Sequence, residues 1–460
     1  MKVVLCRPPY SVLYGVYNKI PKDREIRVPL GLLYLASSLE KDGHTVVIID
    51  GEPEILNNDQ IFTRIMNESP DVVGVSSTTP EFHLAKDIIQ RVKRQMRDVI
   101  TIMGGAHVSI LPQESLNECP EIDYVVVGEG EKSIIKILNE LPKERIIRSS
   151  IIENLDELPL PARHLVDYSQ YQYAIPKKGL TRMDTIETAR GCPFNCLFCY
   201  HLHGQKVRYR DPIKVVDELE LSYKTTGARL FMFYDETFSA NKQRVNTICD
   251  EIIKRNLKVD LFCWTRADCL DYDVLKKMKE AGFNQITTGI ESGNPEILKI
   301  LNKGEGLEQF KKVYQWMDEL GMETRGSFIV GSPYETWQTV RDSVEFAKSL
   351  PLYRIGVNIM TPYPGSMVHE YCKNDRGIHF VSKDWKDYKR WGNAVVRTDE
   401  LTKDDLIECQ KWFLREFNGS WKVVWYHIKQ IFKGNFSYFY YRPIIYAVSQ
   451  RIKMVGQSWE

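Results

Sequence analysis

Cys192, Cys196 and Cys199 stand in the run Arg-Gly-Cys-Pro-Phe-Asn-Cys-Leu-Phe-Cys-Tyr, residues 190–200. The spacing C-x-x-x-C-x-x-C lets three thiolates converge on one face of a short loop. A cubane iron–sulfur cluster ordinarily takes four cysteines, so three leave one iron open. A catalytic zinc site keeps an open position in the same way. Gly191 and Pro193 place the first cysteine in a loop rather than a helix. Phe194 and Phe198 can shield the site, and a drier shell shifts reduction potential. The alternatives are a three-cysteine zinc site or three buried thiols. No nearby fourth Cys or His completes a zinc set, because His201 and His203 follow Cys199 too closely.

This arrangement resembles the signature of the radical S-adenosylmethionine superfamily, including the aromatic residue before the third cysteine. The resemblance implies a 4Fe-4S cluster whose open iron is chelated by the amino and carboxylate groups of S-adenosyl-L-methionine. It also implies one-electron cleavage of the sulfonium to a 5′-deoxyadenosyl radical, with an external donor of flavodoxin or ferredoxin type.

Such a loop needs elements to hold it. From residue 184 the pattern alternates strand then helix six times, with strands at 184–189, 230–235, 261–267, 284–290, 323–329 and 354–362. Six βα units are too few to close an eight-stranded barrel, and active residues of barrels sit at the carboxyl ends of strands. The expected fold is a (β/α)6 partial barrel with the cysteine loop after its first strand. Gly289, Glu291, Ser292 and Gly293 end the fourth strand. The resemblance places that segment near the methionine moiety or ribose. Gly326 to Gly331 resembles the family's adenine-holding segment, with Ser327 where a glycine would stand. Asp235 ends the second strand and Arg266 the third. Arg266 can pair a cofactor carboxylate or form a salt bridge with Asp268. Glu335 reads as a cap for the helix that follows.

Residues 1 to about 145 carry a different alternation, with continuous apolar runs at 2–6, 45–50, 72–76, 100–103 and 124–127 and helical stretches at 31–41 and 81–94. That pattern predicts a doubly wound parallel sheet of five strands. Ligands of such sheets bind beyond the strands' carboxyl ends. Ser76, Thr79, Gly104, Gly105, His107, Gly128 and Glu129 collect there. Singly, each cluster reads as an ordinary turn. Together with Pro29-Leu-Gly-Leu they resemble the cobalamin-binding domain found upstream of many radical S-adenosylmethionine domains. Asp42-Gly43-His44 resembles a fragment of the cobalt-ligating Asp-x-His-x-x-Gly motif of cobalamin-binding methionine synthases and mutases, but Val47 stands where its glycine is required. His44 is therefore expected to be structural.

The expected organisation is a Rossmann-like cobalamin-binding domain over 1–150, a proline-bearing linker over 151–175, the partial barrel over 176–400 and a helical extension over 401–460. That extension mixes aromatic residues with Lys and Arg and contains no Asp or Glu between Glu416 and Glu460. It either packs on the barrel mouth or lies on a membrane surface as a basic amphipathic helix.

The chain has 460 residues and a formal net charge of +1, which suggests no nucleic-acid partner. No apolar stretch reaches the roughly 18 residues of a membrane span, and no secretory leader pattern opens the sequence. The scattered remaining cysteines read as reduced thiols. The expectation is a cytoplasmic protein with peripheral membrane contact through its tail. The resemblances imply a cobalamin-dependent enzyme that methylates an unactivated carbon of a small-molecule or lipid-like substrate. Radical cyclisation, oxidation or carbon–carbon coupling with the same cofactors is the alternative. A tRNA methylthiotransferase would need three N-terminal cysteines, and this chain has Cys6 and Cys119 there. A non-enzymatic corrinoid or electron carrier would not need the segments at 289–293 and 326–331.

Overall fold

The computed structural model describes residues 1–13, 26–175 and 179–432. The first sheet contains β1 (Lys2–Arg7), β2 (Thr45–Asp50), β3 (Val72–Ser76), β4 (Ile100–Gly104), β5 (Tyr124–Val127) and β6 (Ile146–Arg148). Its order is β2-β1-β3-β4-β5-β6, parallel throughout. Helices α1 (Leu30–Lys41), α2 (Asn58–Glu68), α3 (Phe82–Gln95), α4 (Ala106–Ile110), α5 (Pro112–Glu118) and α6 (Glu131–Glu140) make the crossovers. One apolar core lies on each face of the sheet, which explains the continuous apolar runs. The sheet has six strands where five are expected from sequence. β6 has three residues and follows Lys143-Glu144-Arg145, so it leaves no apolar run to read. Strand order reverses between β1 and β3, the place where such sheets open a crevice for ligand.

The second sheet runs β15-β14-β13-β12-β11-β8-β7. Its strands are β7 (Gln172–Ile175), β8 (Gly179–Ile186), β11 (Leu230–Phe233), β12 (Asp260–Thr265), β13 (Phe283–Glu291), β14 (Glu323–Val330) and β15 (Arg354–Ile359). Six are parallel, as expected for a half-barrel. β7 is an additional antiparallel edge, formed from residues that read in sequence as linker. The strand expected at 184–189 ends at Ile186. The chain then forms a small antiparallel ribbon of β9 (Ala189–Arg190) with β10 (Arg208–Tyr209). Helices α7 (Pro212–Thr225), α8 (Lys242–Lys254), α9 (Tyr272–Ala281), α10 (Pro295–Ile300), α11 (Leu307–Glu319) and α12 (Trp337–Ser349) cover the outer face. Starts are locally encoded: Asp211 accepts the Ile213 N–H, and Pro212 takes a first-turn position of α7, where a missing N–H costs nothing.

A short helix α13 (Met367–Lys373) and a hairpin of β16 (Ile378–Phe380) with β17 (Val396–Thr398) precede α14 (Lys403–Gly419) and α15 (Trp421–Phe432). α14 covers the sheet edge at β15. Phe413 lies 5.0 Å from Phe328, and the Gln410 amide donates to the Val357 carbonyl at 2.7 Å. The aromatic and basic residues after Phe432 lie outside the described residues. Among the described residues no helix is long and apolar enough to cross a membrane.

A candidate two-cofactor site at the junction of the sheets

The cysteine loop spans 191–207, closed at its base by the β9–β10 ribbon. Gly191 has φ +98°, a left-handed turn that favours glycine. The Cys192 N–H donates to the Gly204 carbonyl at 3.2 Å, and the Leu197 N–H to the Leu301 carbonyl at 2.9 Å. The Asn302 amide reaches the Asn195 carbonyl at 2.7 Å. Asp235, expected at a ligand, instead builds the turn into this loop. It accepts the Thr188 and Ala189 N–H groups at 2.7 and 3.1 Å. Burial pushes its carboxyl up to about 6, against the pull of Arg244 and the Thr188 bonds.

Burial first, then Cys196, pushes the Cys199 thiol up to about 12; burial likewise raises Cys196. Among the described residues no three Cys, His, Asp or Glu side chains close on one point as they stand. The donor set nevertheless suits a soft iron site, because thiolate sulfur is what iron–sulfur clusters take.

Beside this loop sits a buried charge cluster. Arg266 forms the expected bridge with Asp268, at 2.9 and 2.7 Å. It also donates to the Lys303 carbonyl at 2.7 Å, and its Nη1 lies 3.6 Å from the Cys196 sulfur. The Phe194 ring is 3.7 Å below the guanidinium. Lys303 reaches Glu291 at 3.4 Å and Glu305 at 3.3 Å. Sequence reading missed Lys303 and Glu305; their signal was opposite charges alternating with Gly304 and Gly306 outside any helix. Glu291 has φ +67° at a β13 irregularity, a strained conformation of the kind that clusters at sites. Gly289 makes room for this pair, since a Cβ there would meet the Glu291 carboxylate and the Lys303 ammonium.

The neighbouring small residues serve the helix layer. A Cβ at Gly293 would lie 2.7 Å from the Ser343 Cα, one at Gly326 2.8 Å from Ile290, and one at Gly331 3.0 Å from Leu406. The Ser292 hydroxyl bonds Ser343 at 3.1 Å. Glu335 is no helix cap. Thr336 caps α12, while Glu335 accepts the N–H groups of Gly331 and Ser332, and burial pushes its carboxyl up to about 8.

A cavity of about 360 Å³ opens between the two sheets. From the first come Ser76, Gly104, Gly105, Gly128 and Glu129; from the second, Thr185, Glu187, Arg190, His203 and Tyr234. A Cβ at Gly104 or Gly31 would meet nothing within 4 Å, so a flat ring system can approach backbone there. These residues fit part of a large corrinoid. The His203 Nδ1–H donates to the Glu236 carboxylate at 2.7 Å. Burial lowers its pKa, but Glu236 more than offsets this and the imidazole is held above its usual value. Thr79 and His107 do not line the cavity. The His107 ring is buried, 4.2 Å from Phe82 and 5.4 Å from Trp385, with Nδ1 3.3 Å from the Thr79 hydroxyl. Burial alone pushes it down to about 4. His44 sits before β2, at the sheet's amino end, 3.3 Å from Asp42.

The concave face of the half-barrel is divided. Met183, Leu230, Met232 and Phe262 make an apolar wall with Trp264. Register places Arg325 beside Arg354 and Ser327 beside Gly356 on the other side, where Asn358 donates to Ser327 at 3.2 Å.

The B12 binding domain family matches residues 25–138, and the radical SAM superfamily matches residues 186–347. Over 425 residues the chain is 32% identical to an uncharacterised methyltransferase of Pyrococcus horikoshii, covering 88% of this chain and 90% of that protein. Over 406 residues it is 30% identical to the anaerobic magnesium-protoporphyrin IX monomethyl ester cyclase of Rubrivivax gelatinosus, covering 83% and 72%. The cobalamin-dependent S-adenosylmethionine radical enzyme OxsB, solved with aqua-cobalamin and S-adenosylmethionine bound, aligns with a TM-score of 0.74 at 19% identity over 98% of this chain and 71% of its own. The radical S-adenosylmethionine methyltransferase TsrM from Kitasatospora setae, solved with cobalamin and a [4Fe-4S] cluster, aligns at 0.65 and 19% identity over 85% and 81%. At that identity the two structures speak for the fold.

Proposed function

The chain belongs to the cobalamin-dependent radical S-adenosylmethionine enzymes, and from that premise we propose that it methylates an unactivated carbon of a small molecule. The family works with a 4Fe-4S cluster, S-adenosyl-L-methionine and cobalamin. When bound, these groups supply an electron, a hydrogen-abstracting radical and a transferable methyl group, chemistry that belongs to the cofactors. The chain's own work is to seat and orient them and to keep water away. Cys192, Cys196 and Cys199 would hold the cluster, and Ser76, Gly104, Gly105, Gly128 and the first turn of α1 would seat the corrinoid. One observation carries the reading: His203, from the cysteine loop, lines the same cavity as Gly104 and Gly128. Substrate would lie between that cavity and the half-barrel's concave face. Arg27, 4.6 Å above Trp264 and 5.6 Å from Tyr234, would close one side.

A second outcome with the same cofactors, ring closure, is favoured by the 30% identity to the Rubrivivax cyclase. Product mass separates the two, because methyl transfer adds one labelled carbon. An external one-electron donor of flavodoxin or ferredoxin type would feed the cluster. The C-terminal extension would rest on a membrane surface, which points to a lipid-like or tetrapyrrole substrate. The deciding experiment is anaerobic reconstitution followed by incubation with cell extract and methyl-labelled S-adenosylmethionine. The expected result is about four iron and four sulfide per chain and label in a small molecule. A Cys192→Ala, Cys196→Ala, Cys199→Ala variant that keeps its iron would refute the reading.

A further inference from the structure

We propose that cobalamin binding and seating of the iron–sulfur cluster are coupled through Glu129, a positioning residue shared by the two modules. This rests on the functional reading above. The turn 128–131 forms part of the cavity wall, yet the Glu129 carboxylate is committed to the base of the cysteine loop. One oxygen takes Arg208 Nη2 at 2.6 Å and lies 3.5 Å from Arg190 Nη1. The other takes Arg208 Nη1 at 3.0 Å and the Ile152 N–H at 2.8 Å. Glu131 completes the grip, accepting Arg190 Nη2 at 2.6 Å.

Arg190 and Arg208 are register partners in the β9–β10 ribbon, so together they are the neck of the loop that bears all three cysteines. Arg208 also donates to the His203 carbonyl inside that loop, at 3.2 Å. Side-chain exposure is 4% for Glu129, 2% for Arg208 and 5% for Arg190. Arg208 is held by Glu129 in bidentate geometry and Arg190 is shared among Glu129, Glu131 and Glu187. Neither buried guanidinium can shift without its carboxylates, because an unpaired buried charge is strongly penalised. Gly128 and Gly130 flank Glu129, and Gly128 adopts φ +88°, so the turn's path is set by backbone that ligand can touch. A corrinoid that fixes this turn therefore fixes the loop neck, and a cluster that fixes the loop returns the favour. Coupling between binding sites is reciprocal.

The test titrates hydroxocobalamin into full-length protein, once with the cluster loaded and once after anaerobic chelation of iron. Wild type is expected to bind roughly five- to 150-fold more tightly with the cluster present, the usual range of such coupling. In Glu129→Gln that ratio should fall toward one. A merely structural role would weaken binding in both states and leave the ratio unchanged. Equal affinities in wild type, or a full ratio in Glu129→Gln, would overturn the proposal. If Glu129→Gln fails to fold, Glu131→Ala removes one Arg190 contact and must lower the ratio; a full ratio there counts equally against the coupling. Protein that binds no hydroxocobalamin in either state contradicts the functional reading as well. Equal affinities contradict the coupling alone.

Discussion

Arg266 illustrates how a single side chain can serve a site without touching its substrate. Its fork is spent on Asp268 and the Lys303 carbonyl, and its remaining nitrogen points to the Cys196 sulfur. Hydrogen bonds and positive charge at cysteine sulfur stabilise the reduced cluster and raise its potential. Arg266→Met is thus expected to lower the cluster's midpoint potential while leaving iron content intact. Spectroelectrochemical titration reads this directly, and an unchanged midpoint would remove the tuning role. At this scale the sequence was a good guide to which residues gather and a poor one to what they do. Ser292, Gly293, Gly326 and Gly331 fall where the barrel pattern puts them, but their small size admits Ser343, Ile290 and Leu406. A glycine needed by ligand and one needed by packing look alike in one dimension. His107 faces inward because α4 begins immediately after Gly105 and turns its ring toward Phe82, and Thr79, in the short turn after β3, meets the His107 Nδ1.

Between elements, the largest commitment is the ion network that joins linker, first module and half-barrel. Arg163, from the proline-bearing linker, binds Asp184 and Glu218 at 2.6 Å each. Arg210 takes the other Glu218 oxygen and also reaches the Tyr34 hydroxyl at 3.3 Å. Burial pushes the Glu218 carboxyl up, but Arg163 and Arg210 overcome this and hold it below the usual range. Removing Glu218 leaves Arg163 with Asp184 alone and Arg210 with only Asp156, 3.9 Å away. Glu218→Gln should therefore cost about 3–5 kcal/mol, seen as a lowered denaturation midpoint; a loss under ~1 kcal/mol would mean that water already screens the network. None of this was legible in sequence, since the partners lie 8 to 176 positions apart. The strands and helices were legible because buried strands and amphipathic helices leave different periods. The failures share a cause. β6, β7 and the β9–β10 ribbon are short and held by neighbours more than by their own pattern.

For the molecule as a whole, the C-terminal extension divides its labour. α14 guards the open edge of the half-barrel, with Phe413 and Phe417 in the core. α15 buries Val423, Val424 and His427 but leaves Trp421, Trp425 and Phe432 exposed by 61, 53 and 86%. At about 100° per residue these three fall within about 40° of one another, and Lys422 and Lys429 flank them on one side. Such a stripe suits the headgroup region of an anionic bilayer. The chain should co-sediment with anionic vesicles at low salt and release as salt screens its lysines. Trp421→Ser, Trp425→Ser and Phe432→Ser combined should abolish sedimentation without changing the melting temperature. Wild type that stays in the supernatant at low salt would end the argument for a lipid-like substrate. The half-barrel strands hold a different lesson. Positions 324, 326, 328 and 330 face the helices, while 325 and 327 face the hollow. Alternation thus assigns packing against the helices and the lining of the hollow to separate letters of the same strand. Exchanges at Trp264, Ser327 or Asn358 would reshape the hollow without touching the layer that packs on the helices. A change in what the hollow admits therefore need not cost the fold, because the two faces of one strand are set by different residues.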